Sequence, residues 1–553
     1  MADTSNLLSH FYIKLNGADA SEELMLQVLS LKVETSLHLP SVATIVLEDS
    51  TLKWIDDERL APGKSVEIST KGNGASKKLF DGEIVELEPE FGAGTQRLVV
   101  RAFDRLHRLT RGRYVRSFVN VSDSDLVGRI ASDAGLDPRA RPTNHVYDYV
   151  LQANETNLAF LQKRAALFGY LLFVDGRTLH FEPVKSGPPT ATVQWGNGLI
   201  EFFPRMTTLE QVSSVTVRGW DWQAKQEIVG QVQNGQTSPK VGQSKKGGEL
   251  VKSGFSMEAP YLITHRLIQD QGLADRLAQA VADRHDSRFI EADGLCTGNP
   301  SIVAGATINI TSVGDRFSGS YFVTNAVHTF DPAEHYKTRF SVSGLNPTTL
   351  LSLIVAAEEQ PVPAHVAIGI VTNNSDPDGF GRVKVKFPWL SSDHESDWVR
   401  IAVPGGGDKR GMQFLPEVND EVLVAFELGD IQSPYVIGGL WNGRDKPPLP
   451  NDEATKSGQV VKRVIYSRTG HKIIIDDDPS GGGITIQDKS DNVIQLDTRT
   501  NKLTVNVAGN IEMTAKGDIK MKASGRVEIE SNANVRVQAA STVDVKGSMI
   551  NLN

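Results

Sequence analysis

RTNKLTVN (499–506), VAGNIEMT (507–514), AKGDIKMK (515–522), ASGRVEIE (523–530), SNANVRVQ (531–538) and AASTVDVK (539–546) follow one another without a break from Arg499 to Lys546. The fifth and seventh residues of every octad are apolar. They are Leu503 and Val505, Ile511 and Met513, Ile519 and Met521, Val527 and Ile529, Val535 and Val537, and Val543 and Val545. Between them stand polar residues such as Glu512, Lys520, Glu528, Arg536 and Asp544. The third residue is Gly509, Gly517 and Gly525 in three units, and Asn501, Ala533 or Ser541 in the others. Alternation inside a unit predicts a strand with one face to be buried. Repetition every eight residues predicts a corner at the same place in each unit, where glycine admits φ > 0.

Two apolar side chains per octad are too few for one chain to enclose a core. A single-chain solenoid has longer coils, with several inward residues on each of two or three faces. If three chains wrap together, each supplies one face, and every inward side chain contributes roughly 1.5–3 kcal/mol of gross burial. Wrapping also closes strand edges that would otherwise invite aggregation. The expectation is therefore an intertwined triple-stranded β-helix in a homotrimer, spanning residues 465–553. Strands upstream, such as Lys472-Ile473-Ile474-Ile475-Asp476 and Gly483-Ile484-Thr485-Ile486-Gln487, are expected to extend it. At the far end the register slips by one, with Ile550 and Leu552 in the apolar role, which reads as a tip.

The rest of the chain is predicted to be mainly β with a small α+β insert. Residues 1–115 alternate like half-buried antiparallel strands, as in Val42-Ala43-Thr44-Ile45-Val46-Leu47, and predict a first β-barrel. Over 116–185 the pattern changes. Apolar spacing after Ser124 predicts a helix stopped by Gly135, and Leu158, Leu161, Ala165 and Phe168 predict a second over about Asn157 to Phe168, closed by Gly169. Two strands flanking Asp175-Gly176 predict a hairpin. Residues 186–355 return to strands and predict a second barrel, with a Gly/Lys/Ser/Gln-rich loop near 233–250 and one helix bearing Leu273, Leu277 and Val281. A helix-like stretch from Leu350 to Ala357 and a linker at Pro361-Val362-Pro363 lead to a compact β domain over 365–447.

At 553 residues the chain exceeds one core, and 39 % hydrophobic with 23 % charged residues is the balance of a soluble globular protein. A net charge of −9 gives no electrostatic footprint for nucleic acid or for an anionic membrane. The series Arg101, Arg105, Arg108, Arg111, Arg113 and Arg116 reads as solvated arginines with acidic neighbours. The single cysteine, Cys296, excludes an intramolecular disulfide and reads as an inert buried thiol. Met1-Ala2-Asp3-Thr4-Ser5 lacks the features of a signal peptide, and no apolar run approaches the ~20 residues of a membrane helix. Synthesis and assembly in the cytoplasm are expected.

No residues announce catalysis, a metal or a cofactor, and none of the three is expected. There is no Gly-x-Ser-x-Gly elbow, and His394-Glu395 lacks the second histidine of a zincin. Asp376-Pro377-Asp378-Gly379 has no glutamate at the twelfth position of a calcium loop and reads as a solvated turn. Asp476-Asp477-Asp478 reads as a charged loop rather than a cation site. Gly405-Gly406-Gly407 lacks the Lys-Ser/Thr of a phosphate loop. An enzyme of the β-helical polysaccharide-degrading class would need clustered carboxylates on a long solenoid face. A trimeric receptor-binding fibre would normally end in a globular tip domain.

The octads look like the needle of a contractile injection system spike. Gly369-Ile370-Val371-Thr372-Asn373-Asn374, Asp378-Gly379-Phe380-Gly381-Arg382-Val383, Pro416-Glu417-Val418-Asn419-Asp420-Glu421 and Tyr435-Val436-Ile437-Gly438-Gly439-Leu440-Trp441 together resemble the OB-fold domain of the VgrG family and of phage baseplate spikes. The first ~355 residues resemble phage hub proteins of the late-control-D type, on Leu158-Ala159-Phe160-Leu161 to Phe181 and Gly319-Ser320-Tyr321-Phe322-Val323. The resemblance implies a trimeric hub that adapts a six-fold inner tube to a three-fold needle, which pierces a target membrane and helps deliver effector cargo. It also implies baseplate partners. About twenty residues separate Trp441 from Ile465, too few for the muramidase of some phage spikes, and the sequence stops at Asn553. Both departures resemble the extracellular, phage-tail-like subtype, released as a particle. Certain phage needles end in histidines that bind iron, but the last histidine here is His471. A separate PAAR-type tip protein is therefore expected on Met549, Ile550, Asn551, Leu552 and Asn553.

Overall fold

The computed structural model describes residues 11–551 except positions 38, 72–75, 144, 185–186, 222–223, 225, 265, 267, 269, 332–334, 346–365 and 391–392. The expected helix at 350–357 and linker at 361–363 lie outside the described residues. The chain divides into two units, Met1–Leu440 and Trp441–Asn553.

In the first unit, alternation does the work the sequence assigns to it. Along Val42–Glu48, Ala43, Ile45 and Leu47 point inward, and the strand pairs antiparallel with Val28–Ser36 and Thr95–Asp104. A first core gathers Phe11, Ile13, Leu31, Val33, Ile68, Leu98 and Val100 around them. A second gathers Leu199, Ile290, Ile308, Ile310, Tyr321 and Phe340. The two barrels expected for 1–115 and 186–355 are not separate sheets, however. One fifteen-stranded sheet runs through both. The joint is Asn325–Asp331, which pairs with His335–Val342 on one side and with Val28–Ser36 on the other, placing Ala326 opposite Thr35 and Phe330 opposite Leu31. Phe330 belongs to the first core, its ring edge-on to Phe11 with centroids 5.3 Å apart. Strand partners this distant in sequence leave no mark on local periodicity, which is why two closed bodies were expected.

The α+β insert has its own core, from Leu106 and Leu109 through Phe118, Leu126, Ile130, Leu161 and Leu179 to Phe181. Its helix Asp123–Asp133 starts with a reciprocal cap between Ser122 and Asp125. Gly135 follows at φ +68°. The second helix, Asn157–Phe168, is capped by Thr156, whose hydroxyl accepts from the Ala159 N–H, and ends on Gly169 at φ +66°. Asp175-Gly176 joins Tyr170–Asp175 to Thr178–Pro183 as a hairpin.

A second insert was not foreseen. Ser214–Asp221, Gln226–Val232 and Pro260–Ile263 form their own sheet, and the helix Gln271–Ser287 packs on it around Val215, Val217, Ile228, Leu277, Ala278 and Val281. Gly230 marks the contact, since a Cβ there would lie 2.5 Å from the Ala274 backbone. The glycine-rich stretch expected to be a loop holds the short strand Lys240–Val241 and the start of the helix Gly247–Phe255. The last body of this unit is a five-stranded sheet in the order Lys384–Lys386, Val366–Asn373, Glu421–Phe426, Pro434–Gly439, Arg400–Ile401. Its core is Val371, Val383, Val385, Phe387, Val399, Val422, Val424, Phe426 and Val436.

Two arginines of the series, Arg105 and Arg108, tie the first sheet to the α+β insert. Arg105 donates to Asp81 at 2.8 Å and to the Gly176 carbonyl at 2.9 Å. Arg108 donates to Glu83 and to the Ala134 carbonyl, so both guanidinia tie sheet carboxylates to the insert backbone. The first sheet-to-insert joint is thus ionic. Burial alone would raise Glu83, but Arg108, with His107 and Arg105, outweighs it and holds the carboxyl below its usual range. Glu83→Gln is expected to lower the unfolding free energy at pH 7 by about 1–3 kcal/mol. A carboxylate with a lowered folded pKa contributes fully above its ordinary value of 4.5 and loses that contribution as pH falls through the folded value. Thermal unfolding of variant and wild type should therefore converge on acidification. A difference that failed to shrink as the pH fell below the ordinary carboxylate range would sink the assignment.

Candidate functional site

Perturbed titratable groups often mark active sites, but two of the largest shifts here, at Cys296 and His328, sit inside packed cores. Burial pushes the Cys296 thiol up to about 12, and its Sγ–H points at the Thr338 carbonyl at 3.4 Å. Burial likewise pushes His328 down to about 4, with Nδ1 3.2 Å from the Thr338 hydroxyl. Neither side chain opens onto a cleft. Both are buried in the hub sheet.

The acidic motifs are structural. Asp376 accepts from the Phe380 N–H at 2.9 Å and from Arg382 Nε and Nη2 at 3.0 and 2.7 Å. Hydrogen bonds from Arg382 hold its carboxyl far below the usual range. The turn read as solvated therefore buries its first aspartate, and arginine occupies it. Asp477 and Asp478 pair with Arg463 and Lys456. The Glu395 side chain accepts from Lys384 at 2.9 Å and Thr372 at 2.8 Å, while its carbonyl accepts from the Tyr149 hydroxyl at 2.9 Å. Next to it, His394 Nδ1 lies 3.3 Å from the Ser117 hydroxyl. These contacts fasten the α+β insert to the five-stranded domain. Among the described residues no three His, Cys, Asp or Glu side chains gather as metal ligands would.

The feature that the cores leave unexplained is in the second unit. Its strands Lys462–Tyr466, Lys472–Asp476, Gly483–Gln487, Val493–Asp497 and Lys502–Asn506 form an antiparallel meander. This corrects the reading of 465–506 as stacked coils. Spacing of about ten residues with turn residues between them favours hairpins, and the first octad, with Leu503 and Val505, is the meander's last strand. Cross-strand pairing aligns two apolar columns on one face. Ile475, Ile484, Leu496 and Leu503 form one; Ile465, Ile473, Ile486, Ile494 and Val505 form the other. All nine are exposed, by 39–61 %.

Among the described residues from Val507 onward the chain makes no strand pairing with itself, yet its conformation repeats. It bends at 508–509, 516–517, 524–525, 532–533 and 540–541, the expected corners. The fifth-position residues Ile511, Ile519, Val527, Val535 and Val543 are 50–58 % exposed. The seventh-position residues Met513, Met521, Ile529, Val537 and Val545 are 67–71 % exposed. The apolar stripe is thus continuous and bare. Gly509, Gly517 and Gly525 lie on the bends, but none has positive φ, contrary to expectation, and a Cβ on any of them would meet nothing within 4 Å. At the end Met549 and Ile550 are exposed; Leu552 and Asn553 lie outside the described residues.

Two family models match the chain. One, the Alg8 N-terminal domain, matches residues 5–331; the other, the type VI secretion system/phage-baseplate injector OB domain, matches residues 367–441. The chain belongs to the VgrG-like spike family of type VI secretion systems and phage baseplates. The type VI secretion system spike protein VgrG1a of Pseudomonas aeruginosa is 23 % identical over 441 residues, covering 72 % of this chain and 65 % of that protein. This chain therefore matches less than two thirds of that relative's length. Among solved structures, the E. coli c3393 protein, a type VI secretion component similar to the T4 tail proteins gp27 and gp5, superposes with a TM-score of 0.50 at 16 % identity. It covers 77 % of this chain and 99 % of its own. The lidded PdpA–VgrG complex of Francisella gives a TM-score of 0.53 at 10 % identity over 90 % of this chain and 79 % of that one. The fold is accordingly mainly β, with a hub and an OB domain of this family's kind.

In the OB domain the Asp376–Arg382 pair is the ion pair with the least solvent around it. Replacing Asp376 by Ala leaves Arg382 with Asp378 as its carboxylate partner and removes the acceptor of three backbone N–H groups. The expected cost is about 1–3 kcal/mol, read as an earlier urea transition followed by Trp389 and Trp398 fluorescence. A loss below about 1 kcal/mol would mean that water replaces the carboxylate.

Proposed function

We propose that this chain is the central spike and hub of a contractile injection machine and works as a homotrimer. The single observation that carries the reading is the bare apolar stripe of the second unit, which nothing among that unit's described residues covers. Contiguous exposed apolar surface marks an interaction site, and three identical stripes turned inward cover one another. In this reading the octads form an intertwined triple-stranded β-helix. Gly509, Gly517 and Gly525 turn its corners, and the ten residues from Ile511 to Val545 line its axis, continuing the face that Leu503 and Val505 begin in the meander. The sheet of the first unit, with its two cores, forms the double-lobed hub that meets the inner tube and baseplate.

Family membership supports this assignment, and in this reading the described residues act mechanically. Among those residues no helix is long and apolar enough to cross a membrane. Passage through the target membrane is by thrust of the assembled spike, with force supplied by the rest of the machine. Met549 to Asn553 offer a seat for a PAAR-type tip protein, and cargo travels with the spike.

Native mass measurement of the full chain is expected to give a trimer at micromolar concentration. Ile519→Asp with Val527→Asp would place six carboxylates on the axis, each costing several kcal/mol if left unpaired. That variant should fall to monomer while the first unit keeps its unfolding transition. A wild-type chain that is monomeric and fully folded under the same conditions would overturn the proposal.

A further inference from the structure

A perfect repeat cannot specify its own alignment. Sliding one chain by eight residues sets Ile511 level with Ile519, Met513 with Met521 and Val527 with Val535, so each apolar residue still meets an apolar residue. Only the end layers are lost. The polar residues between them alternate in sign, from Glu512 through Lys520, Glu528 and Arg536 to Asp544. A slide of one octad would reverse that alternation, but these side chains are exposed and such charges discriminate weakly. A slide of two octads leaves the signs as they were. Three chains joined by the octads alone would therefore assemble in several alignments.

The meander does not share this ambiguity. Its hairpins are fixed by turns with specific chemistry. Asp488 accepts from the Asn492 N–H at 2.9 Å and from its amide at 2.8 Å, and Asp497 accepts from the Thr500 N–H at 2.9 Å. Gly470 turns at φ +103° and donates to the Ser467 carbonyl at 3.0 Å. Its apolar face is bounded, nine residues on five strands, and it passes without interruption into the octad stripe, because Leu503 and Val505 belong to both. Each of its last four strands presents the same apolar pair at i and i+2 that every octad presents. The surface that covers the octads is thus suited to cover this face, and that surface is another copy of the same chain.

We propose that the exposed face of the 462–506 meander docks on the same face of two further copies and thereby sets the alignment of the octads that follow. The inference rests on the trimeric reading above. Sliding one chain by an octad would pull Ile473, Ile475, Ile484 and Ile486 away from their counterparts, and hairpins cannot slide strand by strand. The sheet acts as a key at the start of a repeat that has none.

The test uses the full-length chain with a nitroxide on Glu528→Cys, since Cys296 is fully buried and escapes labelling. Double electron–electron resonance on the trimer should give one narrow distance. Ile475→Thr with Ile484→Thr and Ile486→Thr keeps β-branched strand formers while making the face polar. The variant should remain trimeric by native mass but lose the single distance, with longer ones appearing. Should the triple variant fail to assemble, Ile484→Thr alone carries the same test with a smaller slipped fraction. An assembled variant that keeps one narrow distance overturns the alignment role and leaves the trimer standing. A monomeric wild type removes both.

Discussion

Apolar surface that a chain cannot cover by itself is the constraint on which the second unit depends. In the hub, every alternating strand finds a facing layer: Ala43, Ile45 and Leu47 on one strand, Val66 and Ile68 on another, all essentially removed from water. The same alternation in the meander and octads finds none. Local strand-forming tendency is equal in the two regions, so what separates them is the number of inward residues per turn of chain. Two per octad cannot close a core around themselves, whatever their identity. The demand for partners is therefore written into spacing rather than into any single side chain.

The hub meets the opposite problem, that of binding distant segments of one chain. It does so with one shared strand and a set of arginines. Asn325–Asp331 hydrogen-bonds to a strand nearly three hundred residues earlier and delivers Phe330 into the first core. Contacts of such sequence separation are slow to form, because loop-closure entropy is lost before they stabilise the chain. Arg105 and Arg108 then lock the insert by holding carboxylates on one side and backbone carbonyls on the other. The five-stranded domain repeats the device with Glu395, whose side chain binds its own domain while its carbonyl accepts from Tyr149 of the insert.

Local signals were readable wherever a side chain acts on its own neighbourhood. Thr156 and Gly169 bracket a helix, and Asp175-Gly176 makes a hairpin. Pairing between remote strands was not readable, because a strand's partner leaves no periodic trace. Hence one sheet was taken for two, and the second insert was absorbed into the hub. Gly219 and Gly230 were the available signal for that insert: a Cβ on Gly219 would lie 2.2 Å from the Ile268 carbonyl oxygen, close approach of the kind that only glycine allows. The meander was misjudged for a different reason. Its strands carry the same i, i+2 apolar pair as the octads, and only their longer spacing and Asp-rich turns distinguish a hairpin from a coil.

The octad glycines bring the argument back to neighbours. Glycine costs chain entropy on ordering and is retained where φ or crowding demands it. Within this chain neither demand exists at Gly509, Gly517 or Gly525, where φ is not positive and the space around an added Cβ is empty. Across the five octads from Val507 on the same position is otherwise filled by Ala533 and Ser541, both small, while Asn501 of the first octad sits in a hairpin turn at φ +52°. A preference for small residues at a corner that its own chain leaves open is accounted for by something outside the chain approaching that corner closely. In the proposed trimer this is the strand of the next copy. The same octads therefore carry two marks of an absent neighbour, an apolar stripe that needs covering and corners that are kept clear.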